Sequence, residues 1–130
     1  MISEIPVKSV SRTELIDITD KVRAAVSKSG VGHGLCVVYC PHTTAAITVN
    51  ENADPSVQTD IIKKLGDLVP PNAGYTHAEG NADAHIKSAL IGNSRTILVK
   101  NGRLVLGTWE GIFFCEFDGP RSRKVLVLVK

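Results

Sequence analysis

Residues 41–55 read "PHTTAAITVNENADP". From Thr43 the side chains alternate, with Thr43, Ala45, Ile47 and Val49 on one face and Thr44, Ala46, Thr48 and Asn50 on the other. Alternation with period two marks a half-buried β-strand. Pro41 cannot donate to a sheet ladder, so a bend is expected over 41–44, with His42 in it and "AAITVNE" as the strand proper. Asp54-Pro55 then supplies a helix N-cap followed by proline at the first helical position.

Working outward from this strand, cap and helix gives an α+β order. Upstream, "ISEIPVKSV" and "TELIDIT" read as short strands, the first softened by Pro6. A helix is expected from Thr19 or Asp20 through "KVRAAVSKS" to Gly30, and "GLCVVYC" is an apolar run suited to a central strand. Downstream, Val57, Ile61, Leu65 and Leu68 share one helical face, "PPNAG" breaks the chain, and a shorter helix covers about 82–91. The last third reads as strands: "SRTILVK", a tight turn at Asn101-Gly102, "RLVLGTWEG", "IFFCEF" and "KVLVLVK". The expectation is a single domain over 1–130: a sheet-rich, mostly antiparallel, β-sandwich-like α+β fold with about three helices.

Composition frames what such a fold can do. A 130-residue chain with 43% hydrophobic and 22% charged residues fits one soluble globular unit. A formal charge of +2 gives no reason to expect nucleic acid, and no apolar stretch is long enough to span a membrane. Cys36 and Cys40 sit about 13 Å apart along one strand, beyond disulfide reach. Three cysteines and no leader pattern predict a reducing, cytoplasmic setting.

The chemistry lies in the histidines. His33, between glycines, reads as an exposed residue without a role. In "YTHAEGNADAHIKSAL", His77 leads into the third helix and His85 lies on it. Asn81, His85 and Ser88 make one polar stripe there, with Ala82, Ile86, Ala89 and Leu90 on the apolar side. That stripe reads either as a solvated face or as part of a site, and His42 either as a turn residue or as a ligand. Three imidazoles near Glu79 and Asp83 suit a divalent metal, zinc or another transition ion, with an open coordination position. The spacing matches no compact zinc signature. Cys40 is either a neighbour of His42 or a buried strand thiol. In "FDGPRSRK", Asp118, Gly119, Arg121, Arg123 and Lys124 form a turn suited to a phosphate oxyanion or simply to solvent. Trp109 reads as a pocket cap or a sheet-edge filler. No phosphate-loop, dinucleotide or nucleophile-elbow motif is present.

Together "PHTTAAITVNENADP", "HAEGNADAHIKSAL" and "GTWEGIFFCEFDGPR" resemble the YjbQ family, also called UPF0047, over essentially the whole chain. The matching positions are His42, Asn50, Glu51, His77, Asn81, His85, Trp109, Asp118 and Arg121. The resemblance implies an α+β, sheet-rich homotrimer and a weak thiamine-phosphate synthase activity on small phosphorylated substrates. It implies Glu51 and His85 as catalytic residues, Asn50, Asn81, Trp109 and Arg121 as substrate- or phosphate-binding residues, and His42, His77 and His85 as metal ligands. Pyrophosphate chemistry would favour magnesium, three imidazoles zinc or another transition ion. The resemblance leaves two rivals, a metal-dependent hydrolase and a non-catalytic trimer binding metal or anion. The family commonly has glutamine where this chain has Glu110, a change expected to weaken any phosphate held there or to demand a metal.

One geometric constraint is visible already. His42 and Glu51 stand nine positions apart, about 30 Å if fully extended. Asn50 and Glu51 are therefore expected either to cap the turn before the Asp54 helix or to serve a site completed by a neighbouring subunit.

Overall fold

The computed structural model describes residues 1–130. Its elements are β1 (Ile2–Lys8), β2 (Glu14–Asp17), α1 (Thr19–Ser29), β3 (Gly34–Tyr39), β4 (Ala45–Glu51), α2 (Pro55–Leu68), α3 (Ala82–Ile91), β5 (Ser94–Lys100), β6 (Arg103–Leu104), β7 (Glu110–Glu116) and β8 (Ser122–Val129). The strands form two antiparallel sheets, β1-β8-β3-β5-β6 and β2-β7-β4. This is the sheet-rich α+β fold with three helices that the sequence predicts.

The sheets face one another over a core built by period-two alternation. Ile5 and Val7 of β1, Cys36 and Val38 of β3, and Val125, Val127 and Val129 of β8 point inward from the larger sheet. Ala45, Ile47, Ile112 and Phe114 meet them from the smaller one, and Val22, Ala25 and Val26 of α1 close one end. A second, smaller cluster lies behind β4 and β7, where Ala46, Cys115 and Phe117 pack against Ala84 of α3. The start of β4 is thus buried on both faces, where alternation alone predicts one.

Three further departures have physical causes. The apolar row of α2 is only half covered: no residue of that helix is fully buried, and Leu68 is 62% exposed. In α3 the expected faces are exchanged. Asp83, Ala84, Lys87 and Ser88 turn inward, whereas Ile86, Ala89 and Leu90 face solvent. Arg12, from before β2, grips both Asp83 oxygens at 3.0 and 3.1 Å, and Lys87 stands 3.4 Å from the same carboxylate. Paired charges can therefore occupy the buried face. Finally, "RLVLGTWEG" is not one strand. β6 ends at Leu104, and Glu110 Oε1 accepts the Gly107 N–H at 2.7 Å, holding 107–110 as a turn before β7. The Asn101-Gly102 hairpin forms as expected, with φ of 52° and 74° at its two residues.

Candidate functional site

Where β4 begins, β7 ends and α3 starts, the chain leaves an open cleft of about 450 Å³. His42, Thr43 and Thr44 enter it from the bend before β4, and His77, Glu79, Asn81 and His85 from the α3 side. Asp118 and Arg121 complete it from the turn between β7 and β8 and Arg123 from the start of β8, and Pro41 is the one apolar residue of an otherwise polar lining. A second hollow shares His42 and His85 and runs along α3 to Ser88 and Gly92.

The floor is a buried ion pair. Glu116, the last residue of β7, is fully buried and receives Arg123 on both oxygens. Its carboxylate also accepts the Ser9 hydroxyl at 2.7 Å and the Asp118 N–H at 3.1 Å. Burial pushes this carboxyl up, but the bonds from Arg123, Ser9 and Asp118 outweigh it and hold the group below its ordinary range. Arg123 also donates to Thr44 Oγ1 at 2.8 Å, tying the β4 entrance to β8. With its charge answered by Glu116, Arg123 shapes the cleft more than it attracts an anion.

Arg121 is the available cation. It donates to the Asp118 backbone oxygen at 2.8 Å and to its carboxylate at 3.1 Å, yet its side chain remains 53% exposed. Asn81 donates to the same carboxylate at 2.9 Å, while its own Oδ1 is buried without a partner. Gly119 is required in this turn, because a β-carbon there would collide with Ser11 O, Ser9 Oγ and Glu116 Cγ.

The histidines differ in their engagement. His42 Nε2 lies 3.0 Å from the Lys124 backbone nitrogen and 3.2 Å from its carbonyl oxygen, so the β8 backbone engages this ring nitrogen. Burial, then the nearby Arg123 charge, lowers the His42 pKa. The His77 and His85 rings meet edge to face at 5.4 Å between centroids, and His77 Nε2 is 3.9 Å from Glu79 Oε2. No three His, Cys, Asp or Glu side chains stand together as a ligand set. With His42 Nε2 engaged by the backbone, the three imidazoles as placed do not fit a three-histidine zinc centre.

The cleft therefore gathers His42, His77, Asn81, His85, Asp118 and Arg121 from the sequence candidates. It does not gather Asn50, Glu51 or Trp109. Glu51 ends β4, six residues past Ala45, a rise of about 20 Å along the strand. Asn50 Oδ1 accepts the Glu51 N–H at 2.7 Å, as a turn cap would, and Trp109 is 62% exposed. Glu110 sits opposite Glu51 across β4 and β7, so its carboxylate does not touch the histidine cleft. Glu116 and Ser9 were missed, although a lone glutamate within the apolar run "IFFCEF" was a legible sign. Cys40 is buried, its thiol donating toward the His42 carbonyl at 3.9 Å. His33 touches only the Asn101 N–H, at 3.5 Å.

Similarity to known proteins identifies the family. Residues 3–130 match the family model described as UPF0047 protein YjbQ-like. The chain is 55% identical over 129 residues to UPF0047 protein MJ1081 of Methanocaldococcus jannaschii, covering 99% of this chain and 94% of that protein. It is 48% identical over 124 residues to UPF0047 protein YugU of Bacillus subtilis, covering 95% and 94%. A crystal structure of a YjbQ/UPF0047 protein from Clostridium acetobutylicum superposes with a TM-score of 0.97 at 52% identity, covering 98% and 99% of the two chains. A YbjQ-like protein of unknown function from Sulfolobus solfataricus gives 0.96 at 37%, covering 99% and 95%. By family model, sequence and fold alike, the chain belongs to the YjbQ/UPF0047 family.

Proposed function

We propose that the cleft binds the phosphate end of a small phosphorylated molecule and that the protein is an enzyme of the thiamine-phosphate synthase type. One observation carries the phosphate reading: Arg121, Asn81 and three histidines converge on a cleft whose lining is polar apart from Pro41. Such a lining suits a polar, anionic ligand better than a lipid. It offers an oxyanion a guanidinium fork and imidazole N–H groups.

In the proposed reaction the C–O bond of a pyrimidine methyl diphosphate breaks, with the electron pair leaving on pyrophosphate. The thiazole nitrogen then forms the new C–N bond. No protein nucleophile is needed. Catalysis consists of holding two reactants together and stabilising charge on the leaving group. Arg121 takes a terminal phosphate, and His77 and His85 offer imidazole N–H groups to the leaving pyrophosphate. A metal-dependent hydrolase remains the rival, with zinc, another transition ion or magnesium as cofactor. A non-catalytic trimer that binds metal or anion is the rival from outside enzymology. No helix of the chain is long and apolar enough to cross a membrane, and a cytoplasmic homotrimer belongs to the same proposal.

Titration calorimetry with pyrophosphate tests the reading. Wild-type protein is expected to bind, and Arg121→Ala to lose at least tenfold in affinity. Affinity that survives Arg121→Ala overturns the anion assignment. Metal content by mass spectrometry, on wild type and on His42→Ala and His85→Ala, separates the rivals. About one transition metal per chain, lost in both variants, favours the hydrolase.

A further inference from the structure

The cleft holds two arginine–carboxylate pairs, and they differ in what a ligand can do to them. Arg123 and Glu116 are both desolvated, with side chains 6% and 0% exposed. Glu116 is further bonded by the Ser9 hydroxyl. Parting a buried pair leaves a charge unanswered, so this one stays closed. Arg121 and Asp118 make a pair of another kind. The Arg121 guanidinium is half exposed where it meets the Asp118 carboxylate, and a half-solvated pair is held only weakly. This pair is exchangeable.

Asp118 also stands where an incoming anion would bind. Its Oδ2 accepts the Arg121 guanidinium at 3.1 Å and the Asn81 amide at 2.9 Å. These are the donors, one from the β7–β8 turn and one from the start of α3, that the cleft has for an oxyanion. A carboxylate oxygen bridging them does what one oxygen of a phosphate would do. The Asp118 backbone is anchored independently of that contact, its N–H on Glu116 at 3.1 Å and its carbonyl on Arg121 Nε at 2.8 Å. The side chain can therefore change rotamer while the turn stays in place. A second cation is near. The Arg12 guanidinium is held above its ordinary pKa chiefly by its bond to Asp83, against burial, and further by the charge of Asp118. Turned from Arg121, the carboxylate still has a positive neighbour.

We propose that Asp118 is a specificity-determining residue: its carboxylate takes the anion's place on Arg121 and Asn81 and must be displaced by the ligand, so that the cleft accepts multiply charged phosphoanions and refuses simple carboxylates. The inference rests on reading the cleft as a phosphate site, and it names what that site selects. A free carboxylate such as acetate makes the same bonds as Asp118 but lacks its tether. It cannot compete with a group held permanently within bonding distance. Pyrophosphate brings more oxygens and more charge. One of its oxygens replaces Asp118 between Arg121 and Asn81, and others engage the imidazoles of His77 and His85. Those additional bonds are what displacement requires.

Asp118→Asn tests this, because it removes the charge, keeps the shape and leaves both backbone bonds of the residue in place. In titration calorimetry, wild-type protein is expected to bind pyrophosphate and to ignore acetate. The variant should bind pyrophosphate about fivefold more tightly, the scale set by losing a half-exposed ionic competitor, and should now bind acetate. Pyrophosphate affinity no higher than wild type overturns the proposal, and so does a variant that still ignores acetate. A second readout is taken on the wild-type protein. With carboxyl-labelled aspartate, the Asp118 carbon resonance (identified by its loss in Asp118→Asn) should shift as pyrophosphate saturates the site; a resonance that stays put overturns the displacement. Arg121→Ala keeps the two ideas apart. Arg121-dependent pyrophosphate binding of equal strength in wild type and Asp118→Asn leaves the cleft reading intact and removes the role of Asp118. No Arg121-dependent binding in either protein removes the cleft reading itself, and this proposal with it.

Discussion

At the scale of single residues, the decisive group is Glu116. A carboxylate with no solvent exposure is tolerable only because Arg123, Ser9 and the Asp118 N–H satisfy it. Glu116→Gln should cost roughly 3–5 kcal/mol in urea unfolding, because it leaves the Arg123 guanidinium buried and unanswered. The pH dependence has a definite sign. The folded pKa of Glu116 lies below its ordinary 4.5, so its contribution is present above that value and is lost as pH falls through the folded one. Asp83 acts in the same sense. Burial pushes its carboxyl up, but Arg12 and Lys87 bring it below 3.8. His42 works against stability in acid. Its folded pKa is lowered, so the unfolded chain binds more protons below about 6.5 and stability falls with pH there until the folded pKa is passed. By NMR titration His42 should remain neutral in weak acid where an ordinary histidine has already charged, and a His42 pKa above 6.5 would contradict the burial and bonding described.

At the scale of elements, the turn from β7 to β8 is where fold and site are the same object. Gly119→Ala drives a methyl group into Ser11, Ser9 and Glu116, an overpacking expected to cost about 1–3 kcal/mol. It should also displace Arg121, so a fall in the urea midpoint accompanied by weaker pyrophosphate binding is the expected pair. Binding unchanged beside a large stability loss would mean that Arg121 is placed by something else. The elements also show what sequence could and could not reveal. The hairpin at Asn101-Gly102 was legible because two positive φ angles are a local demand met by local residues. The strand, bend and N-cap over 41–55 were legible for the same reason: Asp54 bonds the Ser56 N–H at 2.9 Å, within its own turn. The inward face of α3 was not. Asp83 faces inward because Arg12, 71 positions earlier, arrives to pair with it. The gathering of His42, Asn81, His85 and Arg121 depends likewise on three segments distant in sequence, so residue type could nominate them without joining them.

At the scale of the whole molecule, one sheet face and one helix row are more apolar than a lone chain requires. Leu98→Lys tests the consequence. In an isolated chain, a charge at a position 59% exposed should change stability by less than about 0.5 kcal/mol. If copies cover that face, the same substitution should leave a folded chain of reduced assembly mass, read by light scattering alongside circular dichroism. A folded Leu98→Lys protein of unchanged mass would show that this face lies outside the contact. The three cysteines lend the molecule a property of a different kind. Cys36 lies on central strand β3, Cys40 just beyond it and Cys115 on central strand β7, all buried. Burial pushes the Cys36 thiol to about 11 and Cys115 to about 12, and raises Cys40 as well. In the closed protein none can react as thiolate, so a chromogenic thiol reagent meets its target only when a sheet parts. The colour that develops is then a clock for opening, with one hand on each sheet, and it runs without any added label.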